Sequence, residues 1–303
     1  MGSRQNLQLN PTQAWLNILR LSNSPTVVSN VMSGLGIAIF AHNQEFAERL
    51  LAPTLDYSKP LVLVTIALLT FYFAGMVLND ANDANIDQKH RSERPIPCGA
   101  IRRNDAWVTG AILLLVGLSL CALISTAVAL WGLLLVIAIC LYTALHHLFI
   151  PAIGLMGVCR GLAYILSFAA IAHSFSFIAM EFAVGIGLFT MFLTWIGKNE
   201  HLNNSKRAYL VWLFAIPPLV PIQFWLPNIE LNIIFYLAYL GWIGLASKAF
   251  ASNKIGYGMH TLLASFCLLD CIYLSLLGEL SLFVVSFLCF VLTLCMQRYI
   301  KGT

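Results

Sequence analysis

Apolar stretches about as long as a bilayer is thick recur along the whole chain, and no other feature limits its fold as much. A membrane-spanning helix needs ~20 mostly apolar residues, and ten candidates are read at 25–41, 60–79, 106–125, 127–147, 151–172, 176–197, 208–226, 231–250, 257–277 and 280–298. The first is short, and the last two are separated only by Leu277-Gly278-Glu279-Leu280, so nine to ten spans are expected. Only 10% of the residues are charged and 59% are hydrophobic, whereas an average soluble domain is ~25% charged. That much apolar surface needs lipid as its solvent. The chain reads as an all-α polytopic membrane protein, one membrane domain over residues 1–303.

Charge placement orients the spans, because Lys and Arg in short loops stay on the cytoplasmic side. With the N-terminal segment 1–22 inside (Arg4, Arg20), alternation also puts 80–105, 198–207, 248–254 and the C-terminal residues inside. These hold Lys89, Arg91, Arg94, Arg102, Arg103, Lys198, Lys206, Arg207, Lys248, Lys254, Arg298 and Lys301. The opposite loops around 173–176, 226–230 and 278–279 carry no Lys or Arg, and only 42–59 breaks the pattern, with Arg49 and Lys59. The expected location is a bacterial inner or equivalent membrane, with the polar loops 80–105 and 198–207 sharing its cytoplasmic face. No short apolar core with a small-residue cleavage site precedes the first span, so that span is expected to be its own insertion signal. The eight cysteines form no CxxC pair or Cys/His metal spacing and read as small core residues. There is no basic, aromatic-interleaved patch of the kind that binds nucleic acid, so no nucleic-acid partner is expected.

The sharpest local feature is LNDANDANIDQKHRSERPIP at 78–97. Asp80, Asp83 and Asp87 follow a long apolar run at i, i+3 and i+7. At about 100° per residue they fall within an arc of roughly 60°, provided the helix continues past Leu78. Carboxylates so close repel one another, and a positive group is expected between them. Mg²⁺ suits, since it takes hard oxygen ligands and usually binds through one or two carboxylates plus substrate phosphates. Asn79 adds an amide oxygen, and Arg91 and Arg94 offer guanidinium forks matched to phosphate oxygens. A calcium loop fits less well, because Gln88 stands where its glycine belongs and Arg94 where its last glutamate belongs. A merely solvated charge run explains neither the helical register nor the RxxRPIP that follows. Carboxylates for a metal beside arginines for phosphate describe a diphosphate site.

Asn79-Asp80-x-x-Asp83-x-x-x-Asp87, then Arg91-x-x-Arg94-Pro95-Ile96-Pro97-x-Gly99, resembles the first aspartate-rich motif of the UbiA family of intramembrane prenyltransferases, NDxxDxxxD followed by RPxPSG, with Cys98 in place of the Ser. Tyr142 followed by His146-His147 is similar to the Tyr and later Lys-Arg of that family, and MGVCRGLAYIL at 156–166 resembles the MGxxRGxNxxLG stretch of its EboC branch. The resemblance implies an all-helical bundle around a central cavity open to the cytoplasmic side and to lipid. It also implies Mg²⁺ and an isoprenyl diphosphate donor held by two aspartate motifs, with alkyl transfer to a lipophilic or aromatic acceptor. On that footing Asp80, Asp83 and Asp87 are catalytic metal ligands, and Asn79, Arg91, Arg94, Lys198 and Tyr142 bind the diphosphate.

The second motif of that family, DxxxD after the sixth span, is missing: LTWIGKNEHLNNSKR at 193–207 contains no aspartate. Glu200 and Asn204 keep the i, i+4 spacing of the lost pair. Both are expected as metal ligands, Glu200 also as a catalytic residue, with Lys198, Lys206 and Arg207 binding phosphate directly. The competing expectation is a protein that has lost turnover and binds or carries an isoprenoid lipid. A transporter is a third reading, disfavoured because transporter sites tend to lie near the midplane between repeats, whereas this cluster sits at a helix end. Two ionisable residues fall mid-span, where burying a charge costs at least ~2.5–3.5 kcal/mol. Arg160 reads as a catalytic, cavity-facing cation or as the structural partner of a carboxylate. Asp270 reads as a polarising group or base for the acceptor, or as the neutraliser of Arg160.

Overall fold

The structure, a computed structural model, describes residues 10–48, 57–172, 176–198 and 204–299, without the side chains of 45–48, 204 and 205. In lipid each backbone polar group must find its partner inside the protein, and a helix does this within one segment. The described elements are accordingly helical: α1 (Pro11–Ile18), α2 (Ser24–Glu48), α3 (Ser58–His90), α4 (Arg103–Ile124), α5 (Thr126–Leu145), α6 (Phe149–Ala172), α7 (Phe177–Lys198), α8 (Asn204–Leu210), α9 (Ile229–Ala251), α10 (Ile255–Leu276) and α11 (Leu280–Tyr299). Among the described residues, nine helices are long and apolar enough to cross a membrane, which leaves out α1 and α8.

The centre of the bundle is built on α2 and α10, whose Val31, Ile37, Leu269 and Tyr273 are fully or almost fully buried. Helices α4, α5, α9 and α11 carry exposed Leu115, Leu130, Leu237 and Leu288 on their outer faces, as lipid-facing helices do. Small residues let α6 and α7 approach closely. A Cβ on Gly157 of α6 would stand 2.9 Å from the Gly187 carbonyl oxygen of α7, and one on Gly161 would stand 3.1 Å from that of Ala183. Without a hydrophobic drive between helices in lipid, such close backbone packing supplies the attraction.

Residues 208–226, expected as a tenth spanning helix, are not one. After α8 the chain proceeds in short 3-10 turns, Val211–Ala215, Pro217–Leu219 and Ile222–Phe224. Pro217, Pro218 and Pro221 lack the N–H that a helix needs and clash with its preceding turn. The segment nonetheless runs back along α7. Phe214 packs edge-on against Phe189 with ring centroids 4.6 Å apart, and Gln223 donates to Glu181 near the start of α7 at 2.8 Å. The carbonyls of this segment are met by side chains: Tyr239 and Tyr236 of α9 donate to Phe214 O and Ala215 O, Tyr273 of α10 donates to Pro217 O, and Trp225 of the segment itself donates to Pro218 O. Non-helical backbone at membrane depth is tolerated only where protein buries it, and these hydroxyls and the indole meet that condition. The crossing is made, but by a broken segment.

Because the segment returns to the far side before α9 begins, the ends of α7 and α9 lie on the same face, where Ser247 donates to Ala208 O at 2.8 Å. The ends of α3, α5 and α11 and the α1–α2 junction share it. Lys198 donates to the His146 carbonyl, His146 meets Asp83, and Gln297 donates to Asn23.

Candidate functional site

Helix α3 continues well past its apolar run, to His90, so Asp80, Asp83 and Asp87 keep helical register and project from one side of its last turns. Arg91 closes the helix, with its N–H on Asp87 O at 2.7 Å. Pro95 then disfavours helical backbone at Arg94, and the chain folds into tight turns: Cys98 N–H to Arg94 O at 3.0 Å, Gly99 N–H to Ile96 O at 3.0 Å and Ile101 N–H to Pro95 O at 3.1 Å. Gly99 sits at φ 81°, a conformation that costs glycine nothing. Ile96 and Ile101 bury against α1 and α3, beside Ile18, Val77 and Ala81. That small core pins the loop and aims Arg94 back at α3.

The positive groups among the carboxylates are guanidinium groups. Arg94 Nη1 lies 2.7 Å from Asp87 Oδ2 and 3.7 Å from Asp80 Oδ1, and Arg20 Nη2 lies 3.0 Å from the same Asp80 oxygen. Asp80 and Asp87 are buried, each 6% exposed. Arg94, expected on a substrate phosphate, therefore rests on two of the three aspartates. Arg91 is exposed at the helix end.

Asp83 has a different environment. His146, at the end of α5, sets Nε2 against its Oδ1, while Asn79 Nδ2 donates to its Oδ2 at 3.3 Å. The imidazole is oriented from behind, with Nδ1 3.0 Å from Thr143 O, and Asn82 donates to the same carbonyl at 3.0 Å. Tyr142 stands one turn before His146, ring centroids 6.1 Å apart. Lys198 caps the end of α5 through the His146 carbonyl, so it joins the cluster without touching a carboxylate among the described residues. Asn79 Oδ1 is buried with no hydrogen-bond partner. A buried amide oxygen left unsatisfied costs roughly 1–3 kcal/mol, and here it lies one turn from Asp83. Hard, neutral-plus-anionic oxygens of this kind fit a magnesium ion. Among the described residues, no three His, Cys, Asp or Glu side chains converge as a metal cluster, since arginines hold the other two carboxylates. Glu200 lies outside the described residues, as does the side chain of Asn204; the backbone of Asn204 opens α8.

Arg160 and Asp270 form a second polar centre inside the bundle. The Asp270 carboxylate is fully buried and accepts from Ser29 at 2.5 Å, Asn30 at 2.8 Å, Ser33 at 2.8 Å and Tyr164. Arg160 donates instead to Thr26, to Oγ1 at 2.8 Å and to the carbonyl at 3.2 Å, and stacks over the Phe266 ring at 4.3 Å. Its Nε is buried without a partner. The two charges share a neighbourhood without an ion pair.

Sequence reasoning overlooked Arg20 as part of the site and used it only to orient the chain. The available signal was an arginine bordering the first span on the face that carries the aspartates. Asn82 was also missed, though it sits three residues after Asn79 on the same helix.

A profile of the UbiA prenyltransferase family matches residues 46–253. The digeranylgeranylglyceryl phosphate synthase of Methanoregula boonei is 44% identical over 66 residues, which is 22% of this chain and 23% of that protein, so the match spans under a quarter of that relative's length. Among solved structures, a UbiA homolog from Aeropyrum pernix K1 superposes on 82% of this chain and 96% of its own, with TM-score 0.60 and 15% identity. A structure of a digeranylgeranylglyceryl phosphate synthase covers 91% of this chain and 98% of its own, with TM-score 0.51 and 17% identity. At those identities the structural likeness establishes a shared helical fold.

Proposed function

Since this chain belongs to the UbiA prenyltransferase family, we propose that it moves an isoprenyl group from an isoprenyl diphosphate to a lipophilic or aromatic acceptor, in a Mg²⁺-dependent reaction at the aspartate-bearing end of α3. The observation that carries the reading is the convergence there of Asn79, Asp80, Asp83 and Asp87 with Arg20, Arg94, His146 and Lys198, drawn from the α1–α2 junction and from α3, α5, α7 and the loop after α3. This face carries the basic loops, and we assign it to the cytoplasmic side on the positive-inside rule.

In the reaction, the allylic C–O bond of the donor breaks and both electrons leave with the diphosphate. A bond then forms between the allylic carbon and the acceptor's nucleophilic atom, and the acceptor gives up a proton. Asn79 and Asp83 would hold the metal, and Glu200 and Asn204, by their i, i+4 spacing, are assigned as its further ligands. A magnesium ion bound there supplies positive charge against the developing charge of the leaving diphosphate. Arg91 and Lys198 supply positive charge around the same oxygens, and Tyr142 adds a hydroxyl. Preorganised donors of this kind are worth about 10²–10³ in rate each. The apolar bundle takes the hydrocarbon tail and keeps water from the cation, and Arg160 faces the acceptor end.

One observation favours a second reading, a protein that binds or carries an isoprenoid lipid without turnover: the stretch 198–207 has no aspartate. Purified protein in detergent, given Mg²⁺ and a labelled polyprenyl diphosphate panel with candidate acceptors, separates the two. Diphosphate release that falls at least ~100-fold in both Asp83→Ala and Glu200→Ala supports transfer chemistry. Tight Mg²⁺-dependent binding with no release on any donor and acceptor pair overturns it in favour of the carrier.

A further inference from the structure

Resting on that reading, the geometry around Arg20 points to a division of labour among the three aspartates. We propose that Arg20, with Arg94, is a resident cation of the site: it permanently neutralises Asp80 and Asp87, so that a single divalent ion binds, at Asp83 and Asn79.

Arg20 is built into its place. It lies where α1 turns into α2, in left-handed backbone at φ 47° and ψ 48°, a region where a residue with a long side chain is uncommon. Such strain persists only where the surroundings over-determine it, and here they do. Arg20 N–H donates to Asn17 O at 3.1 Å, and Arg20 O accepts from Asn23 N–H at 3.0 Å and from the Tyr72 hydroxyl at 3.0 Å. Its guanidinium lies with Nη1 3.1 Å from Met76 Sδ and Nη2 3.0 Å from Asp80 Oδ1. Two helices thus fix a cation against one buried carboxylate, while Arg94, held by its own proline-closed loop, takes the other.

The charges then sort themselves. Two guanidinium groups meet Asp80 and Asp87, and a divalent ion placed at either would stand against a fixed positive group. Asp83 is the carboxylate of the three that no arginine touches among the described residues, and its neighbour Asn79 has the amide oxygen that is buried and unpartnered. Arg20 acts through Asp80 and is a positioning residue, one that sets how many metal ions the site takes.

Metal stoichiometry tests this without relying on turnover. The full chain in detergent is dialysed to equilibrium against Mn²⁺, with inorganic pyrophosphate equal on both sides, and bound Mn²⁺ is counted per chain. The wild type is expected to bind one ion, Arg20→Lys one and Arg20→Gly two. Glycine suits the left-handed turn, so Arg20→Gly removes the cation while relieving the backbone. Asp83→Asn is expected to weaken Mn²⁺ at least 10-fold, and Asp80→Asn less than 3-fold. Two ions on the wild type, an unchanged count in Arg20→Gly, or equal losses in Asp80→Asn and Asp83→Asn would each overturn the proposal while leaving prenyl transfer standing. A wild type that binds neither Mn²⁺ nor pyrophosphate would overturn both.

Discussion

Replacing Asp270 with alanine is expected to destabilise the bundle by about 3–5 kcal/mol, the cost of breaking a buried charged network by removing one partner. The structure allows that figure to be apportioned. Four donors converge on this carboxylate from two other helices: Ser29, Asn30 and Ser33 of α2, and Tyr164 of α6. The serine hydroxyls can rotate toward carbonyls of their own helix, as hydroxyls in helices do, so their share is small. In membranes such bonds average only ~0.6 kcal/mol for this reason. The Asn30 amide and the Tyr164 phenol have no such retreat, and an orphaned buried donor costs roughly 1–3 kcal/mol. Arg160, in the same polar centre, also loses the one carboxylate of its neighbourhood among the described residues. Asp270→Asn keeps the shape but brings its own N–H groups against the donors, and should lie between wild type and alanine. Unfolding midpoints in mixed micelles, with exposed Lys254→Ala as the control, measure the series. An Asp270→Ala midpoint matching that control would refute the reasoning, because it would mean the donors are satisfied without the carboxylate.

Two further outcomes follow from the same structure. Tyr273→Phe removes the hydroxyl that meets Pro217 O at 2.9 Å and should cost about 1–3 kcal/mol, and Gly185→Val should cost at least as much, since even a Cβ there would stand 2.0 Å from the Tyr273 oxygen; both are read as shifts in the unfolding midpoint. Stripping divalent ions with EDTA should abolish diphosphate release, and added Mg²⁺ should restore it, whereas release that persists in EDTA would mean that the basic residues act alone.

What the sequence revealed and what it hid divide along the range of the interactions involved. The register of Asp80, Asp83 and Asp87 is local: one helix period decides it, and α3 carries that period on to His90. The broken crossing was half legible. Pro217, Pro218 and Pro221 stood in plain view, but apolar composition alone marks a span and says nothing of backbone shape. The residues that make the break tolerable, Tyr236, Tyr239 and Tyr273, come from α9 and α10, where in sequence they look like ordinary span aromatics.

The two arginine questions show the same limit from opposite sides. Arg20 lies 60 residues from Asp80, and no pattern within either segment announces the pairing; only the fold of α1 across the end of α3 brings them together. For Arg160 and Asp270 an ion pair was one of the expectations, and the structure shows none between them. A carboxylate that takes four hydrogen bonds from neutral donors is satisfied without an ion pair, which leaves the neighbouring guanidinium held by Thr26 and Phe266 and still short of a partner at Nε. The signal was in α2: Ser29, Asn30 and Ser33 fall on one helical face within an arc of about 100°, a polar stripe inside a span. Such a stripe is a liability in lipid unless another helix brings a matching acceptor, so its presence already implied a buried group like Asp270 facing it. Read that way, an intramembrane charge is best explained by first asking which neutral groups solvate it, and only then which opposite charge it pairs with.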